Sequence, residues 1–155
     1  MTPVILIAVA ACGGSPGAAG PSDAAPTADA SVRNFMQAVA DSNIVRMGRY
    51  WGTSRGPATV THQPADYVQR LGITQAFLRR SPFKVLRADA DPADTKKEKV
   101  VVEFTRTDLD GKTCARVATF TALNTEKYGW IVSGLDLNEV GTPGRACLSA
   151  PKTGP

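Results

Sequence analysis

The sequence predicts an α+β domain in which N-terminal helices cover one face of a mainly antiparallel four-stranded sheet. Three observations carry this. Apolar residues recur at helical spacing from residue 31 to about residue 80. After Ser81-Pro82 the spacing changes to every second residue. Polar turn segments, one of them Asp110-Gly111, then divide the alternating runs into strands.

Asp29 or Ser31 is placed to cap a first helix, and Val32, Phe35, Met36 and Val39 form its apolar stripe up to Asp41. Ser42-Asn43 restarts a short helix over residues 44–50, and the Gly/Pro-punctuated stretch 51–57 reads as a loop. A third helix is expected over residues 64–80, with Pro64 in its first turn and Tyr67, Leu71, Phe77 and Leu78 on its buried side. Gly72 within it suits close packing or a bend. Phe83, Val85 and Arg87 share a face of the first strand, followed by a polar turn over residues 89–97. The second strand, residues 99–107, alternates Val100, Val102 and Phe104 with Val101 and Glu103. The third, residues 113–123, places Cys114, Arg116, Ala118 and Phe120 on one face, and the fourth spans residues 130–137.

The N-terminus carries a different message. Met1-Thr-Pro-Val-Ile-Leu-Ile-Ala-Val-Ala-Ala-Cys12 is an uncharged, largely apolar run, followed by Gly13-Gly-Ser-Pro-Gly-Ala-Ala-Gly-Pro21. At about 16 Å as a helix, the run before the cysteine is too short for a hydrocarbon core of roughly 30 Å, and it suits the hydrophobic region of a secretory signal. Val9-Ala-Ala-Cys12 resembles a bacterial lipobox, which implies a diacylglyceryl group on the Cys12 thiol and cleavage just before it. Two acyl chains on Cys12, palmitate among the expected lipids, would give stable anchoring where one chain does not. The other reading is a buried strand over residues 4–9 with Cys12 as a small core residue. No Lys or Arg precedes the apolar run, so the lipobox reading expects the true start upstream. The resulting division is a lipoprotein signal peptide over residues 1–11, a Gly/Ala/Pro-rich tether over 12–30 and one domain over 31–155. The domain is then expected outside the cytoplasm, in the bacterial cell envelope.

All 18 Lys and Arg lie after residue 30, where 12 of the 14 acidic residues also lie, giving the domain a balance of +6. The basic residues are scattered, with Arg79-Arg80 and Lys96-Lys97 the only adjacent pairs. A nucleic-acid binder would show a basic stripe or aromatic-interleaved platform, and neither is present; weak attraction to an anionic membrane surface is compatible with the charge. With Cys12 acylated, Cys114 and Cys147 remain. In an oxidising compartment they are expected to join, closing a loop of about 34 residues worth on the order of 3–4 kcal/mol. The alternative is two separate thiols.

Several segments together resemble small bacterial lipoproteins of the nuclear transport factor 2-like superfamily. They are Val32-Arg-Asn-Phe-Met-Gln-Ala-Val-Ala, Met47-Gly-Arg-Tyr-Trp-Gly-Thr-Ser-Arg-Gly-Pro, Arg70-Leu-Gly-Ile-Thr-Gln-Ala-Phe-Leu-Arg-Arg, Val100-Val-Val-Glu-Phe-Thr-Arg and Gly129-Trp-Ile-Val-Ser-Gly-Leu-Asp-Leu. The resemblance, over residues 30–147, is one of layout. It implies a curved sheet folded into a cone, and hence an enclosed pocket.

Enzymes of that superfamily place acidic, histidine or tyrosine groups inside the cone. Here the lone His62 sits in a polar loop, and Asp66 reads as a first-turn residue of a helix. Tyr50 and Tyr67 are either pocket-mouth residues or wall packing. Trp51 and Arg55 belong to the most distinctive loop, as a core plug or as an aromatic wall with a cation for a polar ligand. Glu103 is a buried partner of Arg116 if it faces inward and a solvated strand residue if it faces outward. Asp136 is open between a pocket acid and a strand-end cap. No nucleophile–base–orienter set is visible, no metal set can be assembled from one His and paired cysteines, and no cofactor is implied. The expectation is a binding module for a small apolar ligand or an envelope protein, with a cone-pocket isomerase or cyclase and a structural subunit of an envelope complex as the alternatives.

Overall fold

In a computed structural model of the chain, residues 24–148 are described; Cys12, the expected signal segment and residues 12–23 of the expected tether lie outside them. Order begins before residue 31. Ala25 is 1% exposed, and its carbonyl accepts from Trp130 N–H at 3.0 Å. Thr27, rather than Asp29 or Ser31, caps α1 (Ala28–Ala40): its Oγ1 accepts from Ala30 N–H at 3.3 Å and donates to Asp29 at 2.6 Å. The whole expected stripe, Val32, Phe35, Met36 and Val39, is buried. Asn43 caps α2 (Ile44–Tyr50) by accepting from Arg46 N–H at 2.9 Å.

The stretch expected as loop holds a two-strand hairpin, β1 (Gly52–Thr53) with β2 (Gly56–Pro57), and leads into α3 (Ala58–Thr61). A Cβ on Gly52 would stand 2.2 Å from the Gly56 carbonyl oxygen, so the hairpin closes only around glycine. The next helix, α4 (Tyr67–Leu78), starts three residues later than expected, because a turn from Pro64 O to Tyr67 N–H precedes it. Leu71 and Leu78 are buried, whereas Tyr67 and Phe77 are half-buried. A Cβ on Gly72 would meet nothing within 4 Å, so the glycine mediates no close packing.

The sheet consists of β3 (Phe83–Asp91), β4 (Asp94–Thr107), β5 (Thr113–Thr125) and β6 (Gly129–Leu135), paired antiparallel in chain order. Val100, Val102, Phe104, Ala118, Phe120, Ala122 and Val132 face α1, and Phe120 meets the Phe35 and Phe104 rings at 6.3 Å each. A register shift between Val85 and Arg87 sets Arg87 opposite Val101, so it lies on the face away from Val85. The hairpin turn shrinks from the expected residues 89–97 to residues 92–93, since both strands extend into the polar sequence. A last short helix, α5 (Leu137–Val140), follows β6.

The helices-on-sheet α+β arrangement is present; the cone is not. The sheet is an open meander, neither curved round nor closed, with β3 and β6 as its two edges. Closing a cone needs the strands to wrap apolar side chains round a common interior. Here Leu86–Asp91 of β3 and Asp94–Lys99 of β4 are mostly charged or small and largely exposed, while the space beneath the helices is filled by Phe35, Met47, Phe104 and Phe120. The nuclear transport factor 2-like assignment is corrected accordingly.

Cys114 and Cys147 form a disulfide, with Cα atoms 5.6 Å apart. Around it the C-terminal segment is held by Asp108, whose carboxylate accepts from Cys147 N–H at 3.1 and 3.2 Å. Arg106, 6% exposed, donates to Phe77 O at 2.8 Å, to Ser81 Oγ and to Gly141 O at 3.4 Å, tying the end of α4 to the C-terminal segment. Burial holds its pKa below the ordinary arginine range, but it remains charged at neutral pH.

Candidate functional site

Side chains from α1, α4, β6 and α5 leave an open groove of about 310 Å³ on the helical side of the sheet. Its floor is Phe35 and Val132, both core residues. One wall comes from α4, where Arg70, Ile73 and Thr74 lie at i, i+3 and i+4 and so share a stripe. Ser133, Gly134 and Leu135 of β6 and Leu137 of α5 form the opposite wall. Trp51 also lines the groove. There the chain leaves α2 in extended conformation (φ −127°, ψ 140°) and forms a bridge with Val132.

The polar groups of the groove are occupied within the molecule. Arg70 Nε donates to both Asp66 oxygens, at 2.8 and 2.9 Å, which holds Asp66 below its ordinary 3.8 and Arg70 above the ordinary arginine range. Thr74 donates to Arg70 O at 2.9 Å, and Ser133 to Thr121 O at 3.2 Å. What the groove presents is apolar surface from Trp51, Ile73, Leu135 and Leu137, and Ile73 is 49% exposed. Such a surface binds by desolvation of apolar groups.

Of the residues singled out in the sequence, Trp51 alone lines this groove. Tyr50 is buried in the core and Tyr67 packs at its margin, 6.3 Å from the exposed His62 ring. Arg55 points elsewhere and donates to Gln63 Oε1 at 3.0 Å. Glu103 and Arg116 lie on opposite faces: Glu103 pairs in register with Lys84 and Val117, away from the helices, while Arg116 stands opposite Phe104. Arg116 instead donates to the carbonyls of Glu139 at 3.0 Å and Asn138 at 3.2 Å. Asp136 caps α5, accepting from Asn138 N–H at 2.9 Å. Among the described residues, no three His, Cys, Asp or Glu side chains are grouped to hold a metal ion.

The sequence reading missed Arg70, Ile73, Thr74, Leu135 and Leu137. A usable signal existed in α4: Val68 and Ile73 fall outside the stripe of Leu71 and Leu78, and both are exposed.

No family model matches the chain, and no curated protein matches it. Among solved structures, the chain is similar to one from Xanthomonas campestris named as a calcium/calmodulin dependent protein kinase II association domain. The identity is 14% and the TM-score 0.43, over 67% of this chain and 79% of that one. A likeness of that degree adds nothing to the reading of the groove, which rests on the chain's own residues.

Proposed function

We propose that this chain is a lipid-anchored protein of the bacterial envelope whose domain works outside the cytoplasm as a non-enzymatic binding module. The groove between α4 and β6 receives an apolar segment of a partner protein. The observation that carries the binding reading is the groove's lining: its polar side chains are engaged internally and its apolar ones are open. Its half-open form favours a protruding segment of a larger partner over a small molecule, which a pocket normally encloses over most of its surface. The candidate acids weigh toward binding as well, since Asp66 pairs with Arg70 and Asp136 caps a helix. The Cys114–Cys147 disulfide supports an oxidising compartment, in keeping with an acylated Cys12.

Mass spectrometry of the native protein is expected to find Cys12 as an acylated N-terminal residue; an unmodified, uncleaved N-terminus overturns the anchor. A photo-crosslinking residue at Ile73 is expected to trap a discrete protein adduct in intact cells, where one at Val45, exposed on α2, traps none. The same adducts from both positions, or none from Ile73, overturn the groove assignment.

A further inference from the structure

We propose that a second groove, where α1, α4 and β3 meet, binds an anionic phospholipid of the membrane surface, with the phosphate on Arg79 and Arg80 and the apolar part of the lipid on the groove floor. The groove measures about 330 Å³ and is lined chiefly by Met36, Val39, Leu78, Pro82 and Phe83, with Arg80 and Ser81 at its rim. It is separate from the α4–β6 groove and shares no lining residue with it.

The charge pattern points to an anionic occupant. Most basic side chains of the described residues already have partners. Arg33, Arg46, Arg70, Arg87, Lys96 and Lys97 each pair with a carboxylate. Arg55 and Lys99 bond to neutral side chains, Arg106 is engaged in the interior, and Lys127 lies 5.2 Å from the Tyr128 ring centroid. Arg49, Arg116 and Arg145 are engaged too. Arg79, Arg80, Lys84 and Lys112 are left over; Arg80 lines this groove and Arg79 precedes it in the chain, whereas Lys84 lies with Glu103 on the sheet face away from the helices. Glu103 stands opposite Lys84 in the β3–β4 register but forms no ion pair with it. Asp41, at the end of α1, is already taken by Arg46 at 2.7 Å.

A cationic rim over an apolar floor complements an amphiphile with an anionic head. A bilayer supplies that chemistry next to an anchored domain, and to this extent the inference rests on the anchor reading. From Cys12 to Ala25 the chain can span at most about 45 Å. That exceeds the roughly 35 Å width of a domain of this size, so the Arg79–Arg80 face can reach the surface.

The test uses the full chain carrying Cys12→Ser, so that acylation cannot supply the binding. Co-sedimentation with phosphatidylglycerol-containing vesicles is expected to exceed that with pure phosphatidylcholine vesicles, and to fall as salt rises. Arg79→Glu/Arg80→Glu is expected to weaken it by roughly tenfold or more, with an unchanged thermal melt. Lys96→Glu/Lys97→Glu makes the same charge change at the chain's other basic pair and is expected to have a much smaller effect. A tryptophan placed at the groove margin by Ala40→Trp is expected to be quenched by brominated phosphatidylglycerol. Equal binding to both vesicle types, equal loss from the two double variants, no quenching at residue 40, or binding to polyglutamate but not to vesicles overturns the proposal. Because the protein in this assay cannot be acylated, a failed anchor reading and a failed lipid site give different results.

Discussion

Arg106 ties three separate parts of the fold together. Its guanidinium serves carbonyls from α4 and from the segment after α5, as well as the Ser81 hydroxyl, at a site almost closed to water. Arg106→Met is expected to cost about 2–4 kcal/mol, because it strands several buried acceptors at once. Arg106→Lys is expected to recover only part of this, since an ammonium cannot reproduce the planar fork. Urea denaturation of the three proteins checks both. Glycines give the opposite contrast. At Gly72 an added Cβ meets nothing within 4 Å, so Gly72→Ala is expected to stabilise α4 by about 0.5–1 kcal/mol. Gly52→Ala must displace the Gly56 carbonyl and is expected to lower the melting temperature.

Among the elements, α1 and the centres of β4 and β5 were the most legible. A buried face imposes a period on the sequence, and Val32, Phe35, Met36, Val39, Val100, Val102 and Phe104 display it directly. Element ends were less legible because caps and turns depend on single residues: Thr27 displaced Asp29 and Ser31, and Pro64 preceded a helix it was expected to begin. The face of Arg87 could not be read by counting, since one bulge reverses every side chain beyond it. The α4–β6 groove was still less visible, as it joins residues far apart in the chain and only Trp51 had a distinctive local context. The C-terminal segment depends on covalent closure. Reducing the Cys114–Cys147 bond, or replacing Cys147 with Ala, is expected to destabilise the domain by on the order of 3 kcal/mol. Calorimetry with and without reductant measures the difference, and proteolysis is expected to remove the segment after Gly141 first.

For the molecule as a whole, acid should be the weak side of the pH profile. A Thr27 hydroxyl, then Arg33, lowers the pKa of Asp29 below its ordinary 3.8; Arg70 does so for Asp66 and Lys97 for Asp94. Lys96 holds Glu126 below its ordinary 4.5. Each of these carboxylates favours the folded state above its ordinary value, and the contribution disappears as pH falls through the lowered one. Stability is therefore expected to be nearly level from about pH 5 to pH 8 and to decline below about pH 4. Because these pairs are mostly exposed, the loss should be modest and smaller still in high salt. Thermal melts across pH at two ionic strengths give the measurement. The cone expected from layout was lost at this same scale, since strand count and order do not determine whether a sheet closes.

The early docking of Ala25 against the start of β6 sets the length of the leash. With Cys12 acylated, about 13 residues link the bilayer to the first fixed point of the fold. A connection that short gives a headgroup site an effective concentration in the millimolar range. An interaction too feeble to recruit the free domain from solution would then be occupied most of the time in the anchored one. Lengthening residues 13–23 should dilute that contact without altering a single residue of the groove.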